Sequence, residues 1–270
     1  MRSINAVLVA SLFVSLLIGS EKKKIVFVLA EKEYRTAETV PTFFNEELAP
    51  LGFEANFIKA PPEGPERNNL KGLTKALQNA DLLFLSVRRR APTIVQMKAL
   101  RAYVESGKPV IGIRTSSHPF HLRGKPAPEG HSLWEGFDPD ILGGNYSGHH
   151  GNNLKTWFQT EPTAKGHPIL KGLPTAKTGK IPSGGSLYKA TPLAPTAEVL
   201  VNGFAESVTQ KQPVAWTHKP DSSNRVFYTS LGHVEDFKQK AFRILLLNAV
   251  HWALELPCPG KSNSQPGIQE

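Results

Sequence analysis

Apolar residues gather in four short runs over the first half of the chain, and each of the first three is followed by a segment whose apolar positions recur three and four residues apart. Ile25 to Ala30, Phe53 to Ile58, Asp81 to Val87 and Pro109 to Ile113 read as strands. Continuous rather than alternating apolar runs are the mark of strands covered on both faces. Between them a helix begins at about Glu38, with Pro41 tolerable only in its first turn, buries Phe43, Phe44 and Leu48, and stops at Gly52. Leu70 to Asn79 sets Leu73, Ala76 and Leu77 on one face. Pro92 marks the start of a third helix with a Val95, Leu100 and Val104 stripe and a stop at Gly107. This alternation predicts an α/β fold built on a mainly parallel sheet with helices on both faces.

Beyond Ile113 the pattern breaks. Thr115 to Gly151 is rich in Gly, Pro and His, with room for one short helical turn near Ile141, and loops of this length inside a domain are commonly functional or disordered. Four strand-like pieces follow, Leu154 to Thr160, Ala197 to Val201, Pro213 to Thr217 and Arg225 to Ser230, and then a final apolar helix from about Asp236 to Leu254. One domain over residues 21–256 accounts for the pattern, with "PCPGKSNSQPGIQE", residues 257–270, reading as a disordered tail.

The other end has a different character. Arg2 precedes a 13-residue apolar run, Ala6 to Ile18, which has the length of a signal-peptide core and is too short to cross a bilayer comfortably. Residues 1–20 are therefore expected to be a signal peptide, the mature chain to be periplasmic or secreted, and no membrane span to remain after cleavage. The formal net charge of +9 favours anionic partners in a general way. Nucleic acid is not expected as a partner, because no basic stripe with aromatic or motif support is present. Cys258 is the only cysteine, which excludes an intramolecular disulfide and a cysteine-based metal site. Self-association into a homo-oligomer is left open.

In an open parallel sheet, ligands bind beyond the carboxyl ends of the strands. Chemistry-bearing residues collect there. Glu31, Glu33, Tyr34 and Arg35 follow the first strand, Arg88, Arg89 and Arg90 the third, and Arg114, Thr115, Ser116, Ser117 and His118 the fourth. The late strand "RVFYTSLGH" delivers His233, with Glu235 two residues on. Five of the nine histidines, His118, His121, His131, His149 and His150, lie in the irregular region, and imidazole is the side chain best suited to proton transfer near neutral pH. A zinc-like divalent metal needs about three protein ligands, which His118, His149 or His150, and His233 with Glu33 or Glu235 would have to supply. The plainer alternatives are imidazoles held by local hydrogen bonds in "GGNYSGHHG" and arginines on a solvated edge.

Several stretches carry a resemblance: "EYRTAETVP", "GKPVIGIRTSSHPF", "LGGNYSGHHG", "HPILKGL" and "PVAWTHKPDSSNRVFYTSLGH" leading into "LLLNAVHWAL". In this order they resemble the ThuA-like (trehalose-utilisation) family, in its secreted bacterial version. The resemblance implies a flavodoxin-like, class I glutamine amidotransferase-like fold. Amidotransferases of that class place a Cys in a G-x-C-x-G turn, and a His with a nearby Glu after a late strand. Here the matching turn is Gly112-Ile113-Arg114-Thr115-Ser116, and His233-Val234-Glu235 keeps the second element. A guanidinium stays protonated and cannot attack a carbonyl, so glutamine amidotransfer is excluded, and neither Ser116 nor Ser117 occupies the nucleophile's position.

The expectation is an enzyme processing a small sugar, trehalose or a keto-sugar. Arg114, Arg88, Arg90, Arg35 and Thr115 would bind substrate oxygens, and His118, His149, His150, His233 and Glu33 would move protons. The rival is a non-catalytic sugar- or anion-binding protein on a degenerate amidotransferase-like fold.

Overall fold

Strand β1 (Lys24–Ala30) is buried along its whole apolar length because its two sets of alternating side chains enter two different cores. Ile25, Phe27 and Leu29 join one, and Val26, Val28 and Ala30 the other. In the computed structural model, which describes residues 22–175, 179–220 and 224–263, helix α1 (Thr36–Phe43) covers the first face. Edge strand β2 (Glu54–Lys59) leads to α2 (Leu73–Gln78) on the second face, then to β3 (Leu82–Val87), and α3 (Ile94–Glu105) packs beside α2. Thr93 and Gln96 cap α3 reciprocally, each side chain bonding the other's backbone N–H. Strand β4 (Val110–Ile113) completes the first half.

The second half runs through β5 (Gly148–His149), β6 (Thr156–Thr160), β7 (Ile181–Ser183), β8 (Tyr188–Lys189), β9 (Glu198–Ala205), β10 (Val208–His218), β11 (Val226–Thr229) and α4 (Lys240–Ala253). Nine strands form one sheet in the order β2-β1-β3-β4-β11-β10-β9-β6-β7, and β5 pairs with β8 apart from it. From β2 to β11 all pairings are parallel; from β11 outward all are antiparallel. The sheet is therefore mixed, parallel from β2 to β11 and antiparallel beyond. Short antiparallel connections such as Glu206-Ser207 between β9 and β10 need no crossover helix, so the strand-helix alternation ends with β4.

Two local expectations are corrected. Helix α1 starts at Thr36 because the buried Glu31 carboxylate accepts from the Tyr34 and Thr36 N–H groups, both at 2.8 Å. Pro41 thus lies well inside the helix, and the chain continues through a wider π turn, Phe44–Leu48, before Gly52 closes it. Residues 257–263 also run back over the body instead of trailing away: Cys258 is buried, the Gly260 N–H reaches Asn248 Oδ1 at 3.0 Å, and Asn263 N–H donates to Glu47 at 2.6 Å. Glu47 is itself buried and paired with Arg243 of α4 at 2.7 Å. The leader expected over residues 1–20 and the chain after Asn263 lie outside the described residues.

Candidate functional site

Three arginines in left-handed backbone conformation stand at or just beyond the carboxyl ends of β1, β3 and β4: Arg35 (φ 54°), Arg89 (φ 49°) and Arg114 (φ 47°). A non-glycine residue there costs about 1–2 kcal/mol, and such strain collects where a fold must aim side chains. At Arg114 it produces a sharp turn beyond β4 from which the side chain turns inward.

The guanidinium of Arg114 is almost wholly buried, with 2% of the residue exposed. It lies between two aromatic faces, 4.6 Å from the Tyr34 ring and 4.2 Å from that of Tyr188. Nη1 donates to the carbonyls of Ser230 (2.6 Å) and Ser186 (3.0 Å), and Nη2 to Ser186 Oγ (3.2 Å) and the Tyr34 hydroxyl (3.3 Å). The buried Tyr228 hydroxyl holds the Arg114 carbonyl at 2.6 Å. The chain can pass this close only because residue 185 is glycine: a Cβ there would stand 2.7 Å from Arg114 Nη2. Arg114 is thus an internal tie, with its terminal nitrogens spent on protein oxygens, rather than an open ligand for substrate.

His118 is also internal. Its ring is 3% exposed, stacks on Tyr146 at 4.4 Å and 28°, and places Nδ1 3.1 Å from Ser117 Oγ. Burial, reinforced by the nearby Arg89 and Arg88, pushes its pKa down to about 2, so the imidazole is neutral throughout the physiological range. Behind Tyr146, its backbone N–H donates to Asp138 Oδ2 at 2.7 Å, while Asp138 Oδ1 is buried without a partner among the described residues. Burial raises that carboxyl to about 7, against the lowering effect of the Tyr146 N–H.

The groups that reach solvent form a rim. His149 is exposed, 6.3 Å from the Tyr188 ring, with Nδ1 2.7 Å from the His150 carbonyl. Because a carbonyl only accepts, Nδ1 carries the proton and a neutral His149 presents Nε2 as a base. His233, half-buried and 5.8 Å from Tyr34, accepts the Glu235 N–H on Nδ1 at 3.2 Å, so its neutral form presents Nε2–H as a donor. The two imidazoles flank opposite members of the Tyr34, Arg114, Tyr188 sandwich. Asp236 fixes the His233 side by accepting from the N–H groups of Gly232, His233 and Gly184 at 2.8–2.9 Å.

The remaining expected residues divide. Glu33 pairs with Arg88 at 2.8 Å on the rim, and Arg89 turns to His121, 3.3 Å from its Nδ1. Arg35 faces solvent in an ion pair with Glu38 and does not join the rim. Thr115 is fully buried, and Ser116 is bound to the β3 backbone at Val87 N and Leu85 O. His150 is partly buried with no partner for Nε2 among the described residues, and His131 lies away beside Thr93 at the start of α3. Among the described residues no three His, Cys, Asp or Glu side chains are grouped to hold a metal ion, so the metal-ligand set expected from His118, His149, His150, His233, Glu33 and Glu235 does not assemble. Glu235 instead pairs with Lys238 at 2.8 Å. Tyr146, Tyr188, Asp138 and Asp236 were not foreseen; Tyr146 sits in an irregular segment, Tyr188 in a two-residue strand, and Asp138 and Asp236 open short π and 3-10 turns, all too short for hydrophobic periodicity to carry a signal.

Residues 26–253 match the family model described as ThuA, trehalose utilisation. The chain belongs to the ThuA family. Among solved structures it is similar to a ThuA-like protein from Bacteroides uniformis, with TM-score 0.59 and 16% identity over 90% of this chain and 94% of that one. A ThuA-like protein from Parabacteroides merdae gives TM-score 0.57 and 15% identity over 91% and 93%. The amino-terminal domain of mmIFT52 gives 0.53 and 12% over 86% and 97%. At such identities these likenesses concern the fold alone. A comparison with curated proteins finds no match.

Proposed function

We propose that this ThuA-family chain is a secreted enzyme that binds a sugar carrying a keto or otherwise oxidised group at the carboxyl end of its parallel strands and moves a proton on it. The single observation that carries this reading is the pair of oppositely prepared imidazoles, His149 offering a base and His233 a donor, on either side of the Tyr34, Arg114, Tyr188 sandwich. Tyr34 and Tyr146, both partly exposed, supply flat apolar faces with polar edges of the kind a sugar ring lies against, and Arg88 and Arg89 supply donors for its oxygens. Abstraction of a proton beside a carbonyl needs one base and one donor to the developing enolate oxygen, the roles this reading assigns to His149 and His233. Direct hydrolysis by two facing carboxylates fits less well, because Glu33 is paired with Arg88 and Glu235 with Lys238. The order of the parallel strands, β2-β1-β3-β4-β11, also supports descent from a flavodoxin-like, amidotransferase-like ancestor whose nucleophile position became the Arg114 tie.

A second reading, non-catalytic binding, is favoured by the enclosure of both Arg114 and His118. Purified protein offered a panel of disaccharides and their 3-keto derivatives separates the two. Consumption of a keto-sugar, reduced about 100-fold or more in His149→Ala or His233→Ala, supports the enzyme. A raised Tm with no turnover supports the binder, and neither effect with any sugar overturns the carbohydrate reading.

A further inference from the structure

A second concavity opens beside the rim. It is a cavity of about 140 Å³ at the carboxyl ends of β1, β2 and β3, lined by Lys32, Arg67, Arg88 and Arg90 together with Glu31 and Glu63. Four cations face two carboxylates, and neither carboxylate neutralises the arginines. Glu31 is spent on the Tyr34 and Thr36 N–H groups and the Thr36 hydroxyl, while Glu63 is exposed and paired with Lys32. Arg88 has its own partner, Glu33, at 2.8 Å. Arg90 makes no ion pair among the described residues, Glu31 acting on it only at a distance: it is only 3% exposed, its Nη2 makes two long contacts of 3.4 Å to the Pro61 and Pro62 carbonyls, and its Nε is buried without a partner there. The Nε atoms of Arg67 and Arg88 are likewise buried and unpartnered among the described residues. The left-handed turn at Arg89 separates the triplet, sending Arg89 to His121 and leaving Arg88 and Arg90 to this cavity.

A buried guanidinium without a directly paired carboxylate is costly, and a fold that retains one beside a cavity has prepared it for an anion. We infer that this pocket is an oxyanion subsite that takes the carboxylate or phosphate of the ligand, so that the chain recognises an acidic sugar, a sugar acid or a sugar phosphate. The cavity has room for one such group. The sugar ring is placed over the neighbouring tyrosines; this part rests on the carbohydrate reading above, whereas the oxyanion subsite does not. Consistent with crowded positive charge, burial first, and then Arg67 and Arg88, lower the Arg90 pKa to about 10, still protonated at neutral pH.

Titration calorimetry on the purified protein tests it with inorganic phosphate, glucuronate, glucose 6-phosphate and, as the neutral control, glucose. At least one anion is expected to bind, with affinity reduced about tenfold or more in Arg67→Gln, a partly exposed position in the 3-10 turn Pro65–Asn68, and in Arg90→Lys, which keeps the charge but loses the planar fork. Preference for glucuronate assigns the carboxylate, and preference for glucose 6-phosphate the phosphate. Binding of phosphate alone, lost in Arg67→Gln, upholds the subsite while defeating its carbohydrate context. Absence of binding by every anion, or binding unchanged in both variants with native circular dichroism, overturns the inference.

Discussion

Tyr146 lies face to face with His118, ring centres 4.4 Å apart, and its backbone N–H is anchored 2.7 Å from the Asp138 carboxylate. A buried neutral imidazole and a buried carboxyl with a raised pKa thus meet through one tyrosine, and they respond to pH in opposite directions. Below its unfolded pKa of 6.5, His118 takes a proton in the unfolded chain but not in the native one, so its contribution to stability is present above pH 6.5 and lost progressively as pH falls. By NMR the His118 ring is expected not to titrate between about pH 4.5 and 8. A midpoint near 6.5 would show the ring to be solvated.

Asp138 keeps its proton in the native state up to about pH 7, whereas the unfolded side chain loses it near 3.8. The native state therefore binds the extra proton between these values, and stability falls as pH rises through that window. Asp138→Asn is expected to match the parent protein at pH 4 and to exceed it at pH 8, by at most on the order of 4 kcal/mol. Equal denaturation midpoints for the two proteins at both pH values would contradict the assignment.

Arg114 is predicted to matter for the fold before it matters for chemistry. Arg114→Met leaves the carbonyls of Ser186 and Ser230 without their donor and empties the space between Tyr34 and Tyr188. The expected loss is about 3 kcal/mol, or roughly 6–12 °C in Tm. A native Tm with abolished ligand binding would return Arg114 to the role of a direct oxygen ligand.

Asp236 should act as a positioning residue for His233. Asp236→Asn retains one acceptor but loses the charge that gathers three N–H groups, and kcat is expected to fall about tenfold with KM little changed. A KM effect alone would place Asp236 in binding rather than in aiming the imidazole.

The parallel half of the sheet was legible because β1, β3 and β4 are continuous apolar runs whose flanking helices show clear periodicity. Sites at the strand ends followed from that topology, which is why Arg88, Arg90, His233 and Glu33 were named, while His149 came from the histidine-rich region. What the sequence did not reveal was orientation. The positive φ at Arg114 turns a residue at the end of β4 into a buried tie, and the positive φ at Arg89 parts two neighbours into two sites. Tyr188 escaped notice because its strand is two residues long, yet its ring closes the cage. The antiparallel half was underestimated because β10 carries Gln210, Lys211 and Gln212 before its apolar stretch begins.

The central claim is that a proton is taken from carbon beside a sugar carbonyl. Incubating the protein with a keto-sugar in deuterium oxide and following that carbon by NMR tests it without knowledge of the final product. Deuterium is expected to enter at the position next to the carbonyl with the parent protein and to enter about 100-fold more slowly with His149→Ala. A keto-sugar that raises the Tm and yet gains no deuterium would contradict it.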